Sequence, residues 1–128
     1  MTTSFDHLQQ TVTLAQKLGA TEVIASLTEG LNYQIRFSES KIDISKQWDQ
    51  SLLEVFLAAG QKVTEVDIFA PTAKKIEEAI TTTLKFIKKM PNNELYAGME
   101  KTKQSFPSIA GLYDKRTEEF YERAPEPV

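Results

Sequence analysis

The sequence contains few residues that could carry chemistry. His7 is the only histidine and there is no cysteine, so a thiolate nucleophile, a disulfide and a cysteine-rich zinc site are excluded. A Ser-His-Asp triad or a two-histidine zinc motif would have to include His7, and nothing near it in the sequence supplies a second ligand. We interpret His7 as a solvated helix residue, and most enzyme classes are hard to build from this chain.

The charged residues favour ordinary surface roles. The chain has 15 Lys and Arg against 18 Asp and Glu, a net charge of -3, which argues against a general polyanion binder. The lysines between Lys85 and Lys103 lack an Arg cluster, a Gly-rich loop or an aromatic platform, so nucleic-acid binding is not expected. Asp67 is interpreted as stabilising the amides at the start of a following helix, in preference to binding a metal.

Aromatic side chains and one arginine are the candidates for a binding surface. Tyr33 and Trp48 fall on different predicted strands, where their rings can pack in the core or line a peptide-binding surface. An antiparallel sheet with a free edge accepts an extended peptide as an extra strand without any catalytic residue. On that hypothesis Tyr33, Arg36 and Trp48 are the candidate substrate-binding residues, with Arg36 as the partner of a carboxylate.

The hydrophobic pattern predicts an α+β fold. A helical period predicts a first helix from Ser4 to Leu18, after which the period changes to two. We expect four to five strands, because turn signals at Gly30, 38–40 and 49–50 separate the apolar alternations. The predicted strands are 22–29, 31–37, 42–48, 52–58 and 62–66. Since no helix separates them, the sheet should be mainly antiparallel, with helices packed on one face.

The remaining segments complete this architecture. The almost wholly apolar run from Leu52 to Ala58 predicts a central strand, buried on both faces or covered on its second face by a partner. Pro71 is assigned to the first turn of a long helix that ends near Met90, with an irregular C-terminal arm after it. The first residues lack the pattern of a secretory signal and no apolar run is long enough to span a membrane, so a cytoplasmic protein is expected.

The order of these segments resembles the N-terminal domain of the TldD/PmbA family. The segments that carry the resemblance are LAQKLGATEV (14–23), YQIRF (33–37), KID (41–43), GQKV (60–63), MPNN (90–93), YAGM (96–99) and GLYD (111–114). Two positions depart from the family pattern, since Ser51 and Thr64 stand where the family often has glycine. We expect residues 1–116 to form the α+β domain and 117–128 to be a linker or the start of a missing C-terminal domain.

The resemblance implies a cytoplasmic zinc metallopeptidase system, formerly named a modulator of DNA gyrase, whose members form dimers and cleave unstructured peptides. Its zinc site uses a His-Glu-x-x-x-His helix motif with further ligands from the later domain. A chain with one histidine cannot supply that motif, so no catalytic or metal-binding residue carries over, and zinc is expected only in the full-length protein.

The role that the resemblance implies is that of a noncatalytic domain. Its expected partners are its own C-terminal catalytic domain or a paired family subunit, and an extended peptide substrate. The alternative is a standalone peptide-binding or dimerisation module that uses the same sheet. A nucleic-acid modulator is a third hypothesis, which rests only on the family's former name.

Overall fold

The fold is a three-stranded antiparallel sheet with two long helices packed on one face. The computed structural model describes residues 4–102 and 105–122. In chain order the elements are α1 (Ser4–Lys17), β1 (Glu22–Ser38), β2 (Lys41–Ala59), β3 (Lys62–Phe69), α2 (Ala73–Ile87) and α3 (Lys115–Glu122). The strands lie in the order β1-β2-β3. The α+β class and the first helix are therefore as the sequence predicts.

The prediction of four to five strands was wrong, because two predicted turns lie inside continuous strands. β1 passes through Gly30, and β2 passes through Asp49 and Gln50. In the ladder Gly30 lies opposite Gln50, and Leu31 lies opposite Asp49. The turn-prone residues thus pair with one another. The β1–β2 pairing that precedes and follows them along the ladder outweighs their local preference for a turn.

The core lies between the sheet and the two long helices. Leu53, Val55 and Leu57 are buried because alternate residues of β2 face the helices. Against them pack residues of α2 at helical spacing, which are Ile76, Ile80, Leu84 and Ile87. Ala15 of α1 belongs to the same cluster, which confirms that the helices cover a single face.

The position of β2 confirms that the Leu52–Ala58 run is a central strand, whereas burial on both faces is incomplete because Glu54 is exposed. β2 pairs with β1 on one side and with β3 on the other, so this run is central in the sheet. α2 begins later than predicted, since the hydroxyl of Thr72 accepts a 3.3 Å hydrogen bond from the N–H of Lys75 and caps the helix. Pro71 therefore precedes the cap instead of occupying the first turn.

The strands are much longer than the helices that cover them. The 17 residues of β1 extend about 56 Å at a rise of about 3.3 Å per residue, whereas the 14 residues of α1 extend about 21 Å. β3 pairs only with residues 52–59 of β2. Residues 30–38 and 41–50 consequently continue beyond the rest of the sheet as a two-stranded extension, here called the ribbon.

Candidate functional site

All three residues that the sequence predicts to bind substrate lie in the ribbon. Trp48 lies directly opposite Asn32, and Tyr33 lies directly opposite Gln47. Because neighbouring strand positions point to opposite faces, Tyr33 faces the side on which the helices lie, whereas Trp48 and Arg36 face the other side. The three candidates therefore do not form one surface.

Arg36 already has a carboxylate partner in its own chain. Its Nη2 atom lies 3.1 Å from Oδ2 of Asp43, at the bulge where the register of the β1–β2 ladder shifts. Both side chains are well exposed to solvent, which limits the stabilisation that the pair provides. A second carboxylate, from a peptide or a partner, would have to compete with Asp43 for this guanidinium.

One face of the ribbon carries a row of exposed apolar side chains, here called the apolar stripe. Its members are Leu31, Tyr33, Ile35, Phe37 and Ile42, which are between 37% and 66% exposed. The stripe continues the face of the sheet that the helices bury further along the strands. The alternation of residues 31–37 predicts a buried face, and this prediction was wrong for the chain by itself because α1 and α2 are too short to reach it.

The outer edge of β1 is free along the described strand. β1 pairs with β2 alone, since the sheet order places it at one edge. Its 17 residues contain neither proline nor lysine, and its only charged members are Glu22, Glu29 and Arg36. Proteins commonly use lysine, proline or short strands to protect such an edge from pairing with another chain. This edge has little of that protection.

On the open face of the sheet, three carboxylates lie on β2 and β3. Ser26, Glu54 and Asp67 occupy one straight row across β1, β2 and β3. Glu65 lies in the adjacent row, opposite Phe56. These residues line a shallow depression of about 280 Å³. We call Glu54, Glu65 and Asp67 the acidic patch.

A segment after α2 crosses one end of the open face, where hydrogen bonds and one aromatic contact hold it. This segment, residues 92–101, is here called the strap. The N–H of Asn93 donates to the carbonyl of Gln61 at 2.8 Å, and the ring of Tyr96 lies 5.8 Å from the ring of Phe56, centre to centre. The strap therefore covers Phe56 on the second face of β2.

The carboxylate of Glu22 is the main polar anchor of the strap. It accepts a 2.6 Å hydrogen bond from the phenol of Tyr96 and a 3.1 Å hydrogen bond from the N–H of Met99. These bonds stabilise the charged carboxylate and lower the pKa of Glu22. The same carboxylate raises the pKa of Tyr96 to about 12.

Sequence reasoning missed the strap because its contacts leave no periodic signal. The one local indication is Gly98, whose φ of +93° is a backbone conformation that favours glycine. Its backbone approaches Glu22 so closely that an added Cβ would lie 3.3 Å from Oε1. A wide cleft of about 680 Å³ lies between the strap and the β2–β3 turn.

The other sequence candidates, His7 and Asp67, lie on separate elements, α1 and β3. His7 lies half-buried in α1, where its carbonyl accepts a 2.7 Å hydrogen bond from the hydroxyl of Thr11. Asp67 lies within β3 and not at the start of α2, so the predicted helix-stabilising role was wrong. Within residues 4–102 and 105–122, no three His, Asp or Glu side chains are grouped to hold a metal ion.

Comparison with known proteins adds no family to this description. No family model matches the chain, and no curated protein matches it. In the described ranges, no helix has the length and apolar character needed to cross a membrane. The fold and the candidate site together define an α+β domain with three features. These are a free sheet edge at β1, the exposed apolar stripe on the ribbon, and the strap after α2.

Proposed function

We propose that this chain is the noncatalytic N-terminal domain of a TldD/PmbA-like zinc metalloprotease of the cytoplasm. In this role it helps to form the cavity that receives unstructured peptides and the interface between subunits. The chemistry belongs to a separate catalytic domain that holds the zinc. The chain described here contributes binding surface and position, which are major sources of rate enhancement for a bound substrate.

The strap supports the family part of this proposal. Four of the sequence segments that carry the resemblance supply its contacts, through Glu22, Gln61, Asn93 and the pair Tyr96 and Met99. The contacts between these segments span up to 77 positions of the chain, yet the segments meet at one end of the sheet. A shared structural role explains why they occur together in one order.

The free edge of β1 is the observation that carries the peptide-binding part. An extended peptide that pairs with this edge becomes a fourth strand, and its main chain satisfies outward N–H and C=O groups of β1. Binding of this kind selects for an unstructured chain, because a folded segment cannot present its backbone to an edge. That selection agrees with a protease for unstructured peptides.

The apolar stripe supports the role in an interface. Five large apolar side chains lie exposed on one face of a narrow ribbon, and exposed apolar patches mark protein–protein contacts. The stripe lies on the same face of the sheet as the core, with Glu29 and Ser51 between the two, so a covering domain or subunit would bury it beside the existing core. The same surface serves either the catalytic domain or a paired subunit.

The mass of the intact protein from its source tests the proposal. We expect a product much longer than 128 residues that contains stoichiometric zinc, while the 128-residue chain cleaves no unstructured peptide with or without added zinc. Circular dichroism of the same preparation controls for folding. Peptidase activity in the 128-residue chain would overturn the proposal.

A standalone peptide-binding or dimerisation module is the second candidate function. The free edge and the apolar stripe favour it equally, since neither surface needs another domain of the same chain in order to bind. A natural product that ends at Val128 would establish this alternative. Binding to DNA that weakens steeply with salt would instead favour a nucleic-acid modulator.

A further inference from the structure

The free edge and the apolar stripe belong to the same strand. β1, whose outer edge pairs with no strand of the described sheet, carries four of the five stripe residues, which are Leu31, Tyr33, Ile35 and Phe37. Side chains of an added strand lie about 4.5–5.5 Å from those directly opposite them. A strand on this edge would therefore place its side chains against the stripe, so one partner can use both features.

The ribbon is short of strands for its own stability. In the described sheet residues 30–38 pair with 41–50, and β3 pairs only with residues 52–59. A two-stranded ribbon is marginally stable in water, whereas three or more strands with a hydrophobic face are stable. A second copy of the ribbon on the edge of β1 would make one four-stranded sheet from two ribbons.

A second copy can meet this edge only in certain registers. Two identical edges pair antiparallel about a two-fold axis perpendicular to the sheet, and the helices of both copies then lie on the same side. Residues directly opposite each other point to the same face, so a residue that faces the helices must lie opposite another that does. On β1 these are the odd-numbered residues, since Leu27 lies opposite the buried Leu53.

Glu29 selects among these registers. It is the charged residue among the odd-numbered positions of β1, and its carboxylate accepts a hydrogen bond from the hydroxyl of Ser4 in α1. An axis at any position from 26 to 33 would place Glu29 opposite itself or opposite an apolar residue of the second copy. An axis at Gln34 leaves Glu29 outside the pairing and joins residues 30–38 of the two chains, which is the longest such register.

With the axis at Gln34, the apolar stripes of the two copies match. Leu31 lies opposite Phe37 of the second copy, and Tyr33 lies opposite its Ile35. The symmetry repeats both pairs, so four pairs of large apolar side chains line the seam. Pairs of aromatic and aliphatic side chains at opposed positions are among those that stabilise sheets.

The other face of the same register has no conflict of charge. Arg36 is the charged residue of β1 within residues 30–38, and it lies opposite Asn32 of the second copy. The two Arg36 positions are about 14 Å apart across the seam, beyond the screening length of about 10 Å at 0.1 M salt. Residues 22–29 of β1 stay outside the pairing, so the edge beside the strap remains available to a peptide.

From these relationships we propose that the chain forms a symmetric homodimer, in which residues 30–38 of β1 pair antiparallel with the same residues of a second copy about a two-fold axis at Gln34. The inference rests on the interface part of the proposed function and names its partner and register. The seam is about 30 Å long, which places the dimer among the small interfaces of weak affinity. In dilute solution the ribbon amides therefore exchange as those of the single chain.

Sedimentation equilibrium of the 128-residue chain measures the association. Between about 5 μM and about 500 μM, a range suited to weak interfaces, we expect the mass to rise from 14.5 kDa toward twice that value. Ile35→Lys should weaken the dimer at least about tenfold. It replaces apolar contacts by two like charges at diagonal positions, about 7–8 Å apart across the seam.

Ile24→Lys is the matched control for this substitution. Ile24 is 53% exposed on the same strand and lies outside residues 30–38, so this variant should dimerise with the affinity of the wild-type chain. Circular dichroism of both variants controls for folding.

Single cysteines test the register, because the chain has no cysteine of its own. Gln34→Cys places two thiols directly opposite each other, at a Cα separation that a disulfide accepts. With diamide as oxidant, we expect its disulfide-linked dimer to form at least about tenfold faster than that of Thr28→Cys, since the seam raises the effective concentration of the thiols. Thr28 is exposed on the same face of β1, but its two copies lie about 40 Å apart along the seam.

The outcomes separate this inference from the function on which it rests. A mass that stays at 14.5 kDa throughout the concentration range overturns the inference, and so does a dimer that Ile35→Lys leaves intact. Faster cross-linking of Asn32→Cys than of Gln34→Cys would place the axis at Asn32 and overturn the register. The proposed function is tested independently by the mass and zinc content of the intact protein, because a catalytic domain can cover the stripe of a monomer. Association that is lost in Ile35→Lys, with the fastest cross-linking at position 34, supports the inference.

Discussion

The phenol of Tyr96 donates a 2.6 Å hydrogen bond to the carboxylate of Glu22, across 74 positions of sequence. Glu22 is the first residue of β1, and Tyr96 lies in a segment with no helix or strand of its own. This bond therefore ties the chain after α2 to the start of the sheet. Because the N–H of Met99 donates to the same carboxylate, the position of the strap depends on Glu22 more than on any regular structure.

Replacing Gly98 with alanine should loosen the strap. A Cβ at this position would lie 3.3 Å from Oε1 of Glu22, on a backbone whose φ is +93°, and both effects disfavour the substitution. We expect hydrogen exchange at the Asn93 and Met99 amides to become at least about tenfold faster, which is local opening of the strap and not global unfolding.

Gly30→Ala is the matched control for that variant. A Cβ at Gly30 has no heavy atom within 4 Å and its φ is not positive, so the strand accepts an alanine there. Protection of the strap amides should remain at the wild-type level in this variant. Unchanged protection in Gly98→Ala would show that the close approach to Glu22 does not hold the strap.

The strap should be sensitive to pH at both ends of the scale. The pKa of Glu22 is lower when folded, so its contribution is complete above the ordinary value of 4.5 and is lost as the pH falls through the lowered value. The pKa of Tyr96 is raised to about 12, so its contribution is present below the ordinary value of 10.0 and is lost as the pH rises through about 12.

Ultraviolet absorbance of the phenolate form measures the titration of Tyr96 at high pH. Among the four tyrosines, we expect one that titrates near pH 12 and that is missing in Tyr96→Phe. Glu22→Ala should lower the pKa of Tyr96 toward 10, because the hydrogen bond with that carboxylate is the main cause of the shift. Glu94→Ala, which changes an exposed carboxylate in the same strap, should leave the titration unchanged.

Periodicity predicts the elements of this fold well and their lengths poorly. The helical spacing of Ile76, Ile80 and Ile87 and the apolar run of β2 identify α2 and the central strand, because burial against one core imposes those patterns. Gly30 led to a wrong number of predicted strands, because a glycine predicts a turn only where no neighbouring strand pairs with it. The number of strands thus depended on long-range pairing.

The candidate site was less predictable for a different reason. Alternation at Tyr33 and Phe37 shows that one face of a strand is apolar, but it does not show what covers that face. The structure leaves the face exposed in the described chain. The acidic patch joins residues of β2 and β3 through strand register, and the strap joins Glu22 to Tyr96, and neither relation has a local sequence pattern.

Leu53→Ala should be strongly destabilising. Leu53 is completely buried, and it lies between Leu27 and Ile68 in the sheet beneath the helices. Loss of this side chain leaves a cavity in the core and should lower the free energy of unfolding by about 2–5 kcal/mol. Urea unfolding followed by circular dichroism measures the change.

Leu95→Ala is the control for the core variant. Leu95 is 94% exposed, so its truncation should alter the free energy of unfolding by no more than about 0.5 kcal/mol. A similar loss in both variants would contradict the position of the core. The comparison uses the same amino-acid change, so side-chain chemistry is held constant.

The ribbon should be the least protected part of the sheet in the 128-residue chain. Within the described part of the chain, amides from Leu31 to Phe37 have neither a third strand nor a helix above them, and two-stranded ribbons are marginally stable in water. In the 128-residue chain we expect them to exchange at least about tenfold faster than amides from Leu53 to Leu57.

The intact protein from its source should remove that difference. If a catalytic domain or a second subunit packs on the apolar stripe, burial of Ile35 and Phe37 adds hydrophobic stabilisation to the ribbon, and its exchange should slow toward that of the central strand. Amides of Leu53 and Leu57 act as the internal reference, because the core already covers them in the chain alone. Equally fast ribbon exchange in both proteins would contradict the interface role, since a face that stays solvated in the intact protein has no covering partner.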